Sequence, residues 1–127
     1  MKTEGYTVRN YDQPVKRYCQ MLDLKNDPEL IAAYKRLHSE ECHWKEIRDG
    51  IRSVGILEME IYILDNHLFM IVETPIDFDW DVAFAKLATL PRQDEWEAEV
   101  GKFQVCEEGA TSDQKWQMMA RMFFLYD

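Results

Sequence analysis

Basic residues, cysteines and long hydrophobic runs are all scarce in this chain of 127 residues. It has 15 Lys and Arg against 24 Asp and Glu, which gives a formal net charge of −9 at pH 7. Nucleic acids and anionic membrane surfaces are bound through clustered lysines and arginines, so the charge argues against both kinds of partner. No apolar segment approaches the roughly 20 residues that a membrane-spanning helix needs. The sequence therefore predicts neither a nucleic-acid partner nor a membrane partner.

The cysteines and the N-terminus bear on the compartment. Cys19, Cys42 and Cys106 are an odd number at wide spacing, and no C-x-x-C pair occurs. We therefore expect reduced thiols rather than a disulfide framework. Residues 1–15 lack the apolar centre of a secretory signal. Both observations predict a cytoplasmic protein.

The composition is that of one folded domain. Hydrophobic residues make up 46% of the chain and charged residues 31%, a balance typical of globular proteins of this length. The first residues are polar and end in Gln13-Pro14. The sequence predicts a loose arm over 1–14 and a single domain over 15–127.

Hydrophobic periodicity divides this domain into strands and helices. Residues 56–64 alternate cleanly and residues 15–24 roughly, and together with the apolar runs 67–74 and 117–126 they predict four strands. Apolar residues three or four apart, with capping residues before them, predict helices after Asp27, from Ser39, after the acids of 77–81, and around Trp96. Residues 107–115 read as a loop.

This order of elements is the split β-α-β arrangement of ferredoxin-like α+β folds. It forms a four-stranded antiparallel sheet with helices on one face, which leaves the other face bare. The last predicted strand, 117–126, carries apolar residues on both of its faces. We therefore expect a second copy of the chain to cover the sheet, which makes a homodimer with the architecture of a dimeric α+β barrel.

His38 is the best candidate for chemistry. It follows Tyr34 by four positions, so both side chains project from one face of a helix. A helix break after His38 places it at the rim of the sheet, where an imidazole can move protons near neutral pH; a capping surface histidine is the alternative. A zinc site at His38, Cys42 and His43 is disfavoured, because no further Cys or His completes it.

Two other groups of residues have two readings each. Glu58, Glu60 and Tyr62 share one face of the second predicted strand, which is either a polar lining suited to sugar hydroxyls or an ordinary solvated face. Trp96 follows the polar run 92–95, so it either stacks on the apolar face of a sugar at the rim or packs in the core. No phosphate loop, nucleophile elbow or Cys/His dyad signature occurs.

A family resemblance rests on an ordered set of motifs. The run Y-K-R-L-H at 34–38, followed by Trp44 and Glu46, resembles the Y-x-R-x-H…W-x-E helix of the L-rhamnose mutarotases. The hairpin 55–73, Trp80, Trp96 and the M-F-F-L run at 122–125 follow in the order of that family. The resemblance spans about 15–126. It implies an isomerase of the aldose 1-epimerase type that interconverts the α and β anomers of a free 6-deoxy-hexose, as a homodimer with no metal and no organic cofactor.

The resemblance also implies roles for single residues. His38 falls on the proton-donor histidine of the family, and Tyr34 on its substrate-binding tyrosine. Met59, Glu95 and Trp96 fall on sugar-contacting positions, and Tyr62 is added from the polar strand face. Because a neutral imidazole is a poor acid, we expect the pKa of His38 to lie near the cytosolic pH.

Three departures from the family pattern bear on the sugar. The segment between His38 and Trp44 is two residues longer than the usual H-N-P-x-W and lacks its prolines. Met59 stands where the rhamnose enzymes tend to have a tyrosine, and Glu95-Trp96 replaces a Trp-Trp pair. L-Fucose is therefore an alternative to L-rhamnose.

Two other classes of protein share the predicted topology. A dimeric-barrel monooxygenase or haem-degrading protein needs an apolar cavity or a histidine placed as an axial ligand. A non-catalytic barrel that binds a small ligand needs neither. The Tyr34–His38 pair on one helix favours the mutarotase.

Overall fold

The computed structural model describes residues 4–126. Its strands are β1 (Val15–Asp23), β2 (Glu58–Leu64), β3 (His67–Pro75) and β4 (Gln117–Met118). Its helices are α1 (Pro28–Leu37), α2 (Lys45–Ser53), α3 (Trp80–Leu87), α4 (Gln93–Gly101) and α5 (Ser112–Lys115). The strands form one antiparallel sheet in the order β2-β3-β1-β4. The predicted ferredoxin-like α+β fold is confirmed; residues 1–3 of the predicted arm and residue 127 lie outside the described part.

Strand alternation separates the two faces of the sheet. One face carries Leu22, Leu68 and Met70, which are buried in a single core with the helices. The opposite face carries Cys19 of β1 and Ile71 of β3, which are paired in the register and only half-buried. Because successive side chains of a strand point to opposite sides, neighbours in sequence belong to different surfaces.

Two helix starts were predicted from capping residues and are confirmed. The Asp27 carboxylate accepts hydrogen bonds from the backbone N–H groups of Glu29 (2.9 Å) and Leu30 (3.3 Å). The Asp79 carboxylate accepts one from the N–H of Val82 at 3.2 Å. Each bond satisfies a donor that has no partner inside the helix.

The start of the second helix was predicted wrongly. Helix α2 begins at Lys45, not at Ser39, and residues 39–44 form turns. The Ser39 hydroxyl donates to the carbonyl of Arg36 (2.7 Å) and accepts from the N–H of Cys42 (3.3 Å). These local bonds compete with helical pairing and end the first helix. The predicted loop 107–115 likewise contains the short helix α5, which begins with a capping box between Thr111 and Gln114.

The last strand is much shorter than predicted. Only Gln117 and Met118 pair with β1, and the N–H of Met119 donates to the carbonyl of Cys19 at 2.8 Å. Residues 119–126, called the C-terminal tail from here on, contain no further strand. The apolar run 117–126 was misleading, because a strand also needs a neighbour that takes its backbone hydrogen bonds. The exposed large side chains of the tail are Met119, Met122, Phe123, Phe124, Leu125 and Tyr126.

The N-terminal arm, residues 4–14, lies over part of the face that was expected to be bare. The ring of Tyr6 packs against Tyr62 with 5.7 Å between centroids. The Tyr11 hydroxyl donates to the Glu73 carboxylate at 3.0 Å, and the Arg17 guanidinium binds the same carboxylate at 2.8 Å.

No helix within residues 4–126 has the length and apolar character to cross a membrane.

Candidate active site

A cavity of about 600 Å³ lies between the helices and the core-facing side of the sheet. Its volume is in the range of small-molecule sites. Tyr34 and His38 reach it from α1, Trp44 from the start of α2, Trp96 from α4 and Met59 from β2. The cavity therefore combines aromatic walls with the imidazoles of His38 and His43.

A hydrogen bond fixes the orientation of the His38 ring. His38 caps the C-terminus of α1, and its Nδ1 lies 2.8 Å from the carbonyl oxygen of Tyr34. A carbonyl oxygen only accepts hydrogen bonds, so Nδ1 carries the hydrogen and donates it. In the neutral ring Nε2 therefore has a free lone pair that can accept a proton.

Aromatic rings surround this imidazole. The ring centroid of His38 lies 4.5 Å from that of Tyr34 and 5.3 Å from that of Trp96. Trp44 packs edge-on against Trp96 at 5.2 Å, and the Arg92 guanidinium lies 4.1 Å from the Trp44 ring centre. The two tryptophans form a rigid wall beside the proton-carrying group.

The electrostatics of His38 differ from the sequence expectation. Burial lowers the pKa of His38 below its usual 6.5; the bond to the Tyr34 carbonyl opposes this shift, and the positive charge of Arg48 adds to it. The sequence analysis placed this pKa near the cytosolic pH, because it could not count the rings that exclude water. At neutral pH the ring is neutral.

A second, polar end of the cavity begins at the Tyr34 hydroxyl. That oxygen accepts a hydrogen bond from Nε2 of Gln104 at 3.3 Å. Burial raises the pKa of Tyr34 to about 12, the Gln104 bond lowers it and Glu97 raises it. The hydroxyl therefore keeps its proton and can donate it to a ligand. Gln104 also lines the cavity, and its buried Oε1 has no hydrogen-bond partner within the described residues.

Glu97 is held on the cavity wall by a buried lysine. Its carboxylate accepts hydrogen bonds from Lys115 Nζ at 2.8 Å and from Gln93 Nε2 at 2.7 Å. Lys115 Nζ also donates to the backbone carbonyl of Glu97 at 2.7 Å, and the lysine side chain is only 1% exposed. Sequence reasoning missed this pair, because a lysine in a predicted loop gives no sign of burial. A carboxylate has lone pairs beyond these two bonds, which a sugar hydroxyl can use.

The structure brings together four of the six residues predicted for the site. Tyr34, His38, Met59 and Trp96 line the cavity. Tyr62 does not, because it lies on the opposite face of β2, where its hydroxyl donates to Glu60 at 3.3 Å. Glu95 is exposed on α4 next to Arg92, 3.5 Å away. Strand alternation excludes Tyr62 from the cavity, and the outward face of α4 excludes Glu95.

The residues considered for a zinc site lie in different surroundings. His43 lines the cavity, and its Nδ1 lies 3.1 Å from the carbonyl of Ser39, to which it donates. Cys42 is exposed. Within residues 4–126, no three His, Cys, Asp or Glu side chains are grouped so that they could hold a metal ion.

Two solved structures resemble this fold. The crystal structure of an L-rhamnose mutarotase from Formosa agariphila has a TM-score of 0.64 and 18% identity, with 87% of this chain and 99% of that chain covered. Tetracenomycin F2 cyclase from Streptomyces glaucescens has a TM-score of 0.52 and 15% identity, with 88% and 97% covered. At these identities the likeness concerns the fold.

Sequence relatives carry the argument further. The chain is 39% identical over 113 residues to a UPF0734 protein of Dictyostelium discoideum, which covers 88% of this chain and 89% of that protein. It is 34% identical over 111 residues to an L-fucose mutarotase of Xanthomonas campestris pv. campestris, with 87% and 89% covered. The sequence model of the family described as L-rhamnose mutarotase matches residues 17–125. This chain therefore belongs to the L-rhamnose mutarotase family.

Proposed function

We propose that this protein is a mutarotase that interconverts the α and β anomers of a free 6-deoxy-hexose, either L-fucose or L-rhamnose. The observation that carries the proposal is His38, which lines an aromatic-walled cavity and whose Nδ1 is fixed by the Tyr34 carbonyl, while its Nε2 has no hydrogen-bond partner among residues 4–126. Membership of a family of mutarotases supports it.

The reaction needs only proton transfers, which a histidine can perform. Opening the pyranose removes the proton from the anomeric hydroxyl, forms the C1=O bond and breaks the bond between C1 and the ring oxygen. Neutral His38 accepts the hydroxyl proton at Nε2, and the resulting imidazolium donates it to the ring oxygen. Rotation about C1–C2 and the reverse steps give the other anomer. His38 thus acts as the predicted proton donor after first acting as an acceptor; such a group typically contributes ~10²–10⁴-fold.

The rest of the cavity suits a sugar. The faces of Trp44 and Trp96 offer apolar surface for the C–H groups of a pyranose. The Tyr34 hydroxyl and the Glu97 carboxylate offer a donor and an acceptor for hydroxyl groups. Met59, which also lines the cavity, adds apolar surface that fits the methyl group of a 6-deoxy sugar.

Saturation-transfer NMR between the two anomers tests the proposal. The purified protein is added to L-fucose, L-rhamnose, D-glucose and D-galactose, and the exchange rate above the buffer rate is measured for each. We expect exchange of one 6-deoxy sugar at least tenfold faster, by about 1.4 kcal/mol of discrimination, than of the hydroxymethyl sugars. Absence of enzyme-dependent exchange for all four sugars would contradict the proposal.

We also propose a homodimer in which the C-terminal tail packs on a second copy. Met122 is 95% exposed, Tyr126 82% and Leu125 74%. In the described part of the chain the outer edge of β1 over 15–18 has no neighbouring strand, because β4 pairs only with Gln20 and Met21. Burying the six large tail side chains from each of two copies removes on the order of 1,500 Å² of surface, which is the size of a stable interface.

Sedimentation velocity at micromolar concentration tests the dimer, and a species near the 15.2 kDa of one chain would refute it.

The three cysteines are unpaired in the structure. Their free thiols support the proposed cytoplasmic location, since that compartment keeps thiols reduced.

A further inference from the structure

The cavity is lined by an excess of cations, although the chain as a whole is acidic. Its charged and titratable lining residues, apart from His38 and Tyr34, are Arg9, Lys35, His43, Arg48, Arg52, Glu58 and Glu97. The Glu97 carboxylate is already paired with Lys115. The cavity lining is therefore positive, in contrast to the chain as a whole, whose net charge is −9.

Arg48 differs from the other arginine on the same helix. Arg52 forms an ion pair with Asp49 at 3.1 Å. Among residues 4–126, no ion pair joins Arg48 to a carboxylate. Arg48 follows Trp44 by four positions, so it lies on the helical stripe that continues from the tryptophan wall.

The charge of Arg48 also reaches the imidazole. It is the cation that contributes to the lowered pKa of His38. A fixed positive charge there disfavours the imidazolium and leaves the neutral ring ready to accept a proton. His38 can therefore transfer the proton, while Arg48 supplies a fixed positive charge and N–H donors.

We propose that Arg48 is a second catalytic residue, whose guanidinium donates a hydrogen bond to the ring oxygen of the sugar as the C1–O bond breaks. The proposal rests on the mutarotase function proposed above. The electron pair of the breaking bond moves to the ring oxygen and is stabilised by the N–H of Arg48. The anomeric proton moves to Nε2 of His38 and then to the ring oxygen, so both side chains return to their starting states.

The chemistry of arginine suits this role. A guanidinium stays protonated at every physiological pH and presents N–H donors in a rigid plane. Donors aimed at a developing negative charge lower the barrier, because they are stronger in the transition state than in the ground state. Lys45 lies on the same helix, does not line the cavity and is paired with Asp49 at 2.8 Å, which makes it the control.

The experiment compares Arg48→Met with Lys45→Met by saturation-transfer NMR, using the faster of L-fucose and L-rhamnose. Asp49 keeps Arg52 as a partner, 3.1 Å away, when Lys45 is replaced. We expect Arg48→Met to lower kcat by roughly 10²-fold, the usual effect of losing one such donor, with KM changed less than threefold. Lys45→Met should change kcat less than threefold, and Arg48→Lys should recover part of the loss.

An NMR titration of the His38 ring gives an independent readout. In Arg48→Met the pKa of His38 should rise, and in Lys45→Met it should stay at the value of the parent. Exchange by folded Arg48→Met at the parental kcat would overturn the role of Arg48 and leave the mutarotase function intact. If the parent protein exchanges no sugar, the mutarotase function fails, and the role of Arg48 fails with it.

Discussion

The two faces of the sheet differ in what they expose, although they are built from the same strands. The face toward the helices carries buried side chains such as Met70 and Val72, and it encloses the cavity. The other face is covered in part by the N-terminal arm, and the large apolar side chains of the C-terminal tail are exposed. Burial in the cavity lowers the pKa of His38, the proposed proton-transfer group, whereas exposure of the tail is the basis of the proposed dimer. The cavity and the tail therefore test two separate proposals, one on chemistry and one on assembly.

The largest expected effect is on the anomer exchange rate and concerns the cavity side of the sheet. His38→Ala removes the proton-transfer group and should lower the anomer exchange rate by roughly 10²–10³-fold. His67→Ala is the matched control, because His67 is exposed and pairs with Asp23 at 2.8 Å outside the cavity. Exchange rates and thermal melts of both variants check the prediction. Parental exchange by a folded His38→Ala protein would show that another group moves the proton.

Substitutions in the C-terminal tail should have the opposite effect: we expect them to weaken dimerisation and to leave the exchange rate unchanged. Phe123→Asp with Phe124→Asp puts charges where two exposed aromatic rings, 70% and 57% accessible, are proposed to become buried. Losing two such burials should weaken dimerisation by at least roughly 100-fold. Sedimentation equilibrium measures this against Asp65→Asn, a substitution in the β2–β3 turn. Equal dimer affinities for the two variants would remove the tail from the interface.

The pH dependence of the exchange rate tests the protonation state of His38 in the cavity. The pKa of His38 is lowered by burial, so the neutral ring that accepts the proton prevails at pH 7. The exchange rate should therefore be flat near pH 7 and fall up to tenfold per pH unit below the pKa. The folded state binds fewer protons at this site, so its contribution to stability is lost as pH falls from about 6.5 through the folded pKa. A rate that rises on acidification would identify the imidazolium as the working form.

The smallest expected effect compares two buried glutamines. Gln104 and Gln20 are 2% and 1% exposed, and each has a buried Oε1 with no partner among the described residues. Only Gln104 lines the cavity and binds Tyr34. Gln104→Met should raise KM by roughly two- to tenfold, which corresponds to one hydrogen bond. Gln20→Met should leave KM unchanged, and equal KM values for the two variants would show that the cavity does not use this amide.

Local chemistry explains how much of the fold was predictable. Asp27 and Asp79 allowed the starts of their helices to be predicted, because a carboxylate caps free N–H groups within three residues. The hairpin was predictable because Asp65, with φ of 54°, adopts a turn conformation that few residue types tolerate. The end of β4 was not predictable, because the length of this strand depends on pairing with a partner strand, which no local pattern encodes.

The candidate site shows the same limit. Tyr34 and His38 were predictable from a spacing of four on one helix. Tyr62 was misplaced even though alternation already set it opposite Met59 on the same strand. The pair between Lys115 and Glu97 joins positions 18 residues apart in two different helices, so only the tertiary structure brings it together.

The hydrogen bond between the His38 ring and the Tyr34 carbonyl has a consequence for the evolution of this protein. That carbonyl belongs to the last turn of α1, where backbone acceptors have no partner in the helix. In the proposed mechanism the imidazole closes the helix end with one nitrogen and moves protons with the other. We therefore expect a substitution that strengthens the helix end to remove the proposed proton-transfer group, and one that changes the imidazole to weaken the helix end. Under this proposal, stability and turnover cannot be improved independently at position 38.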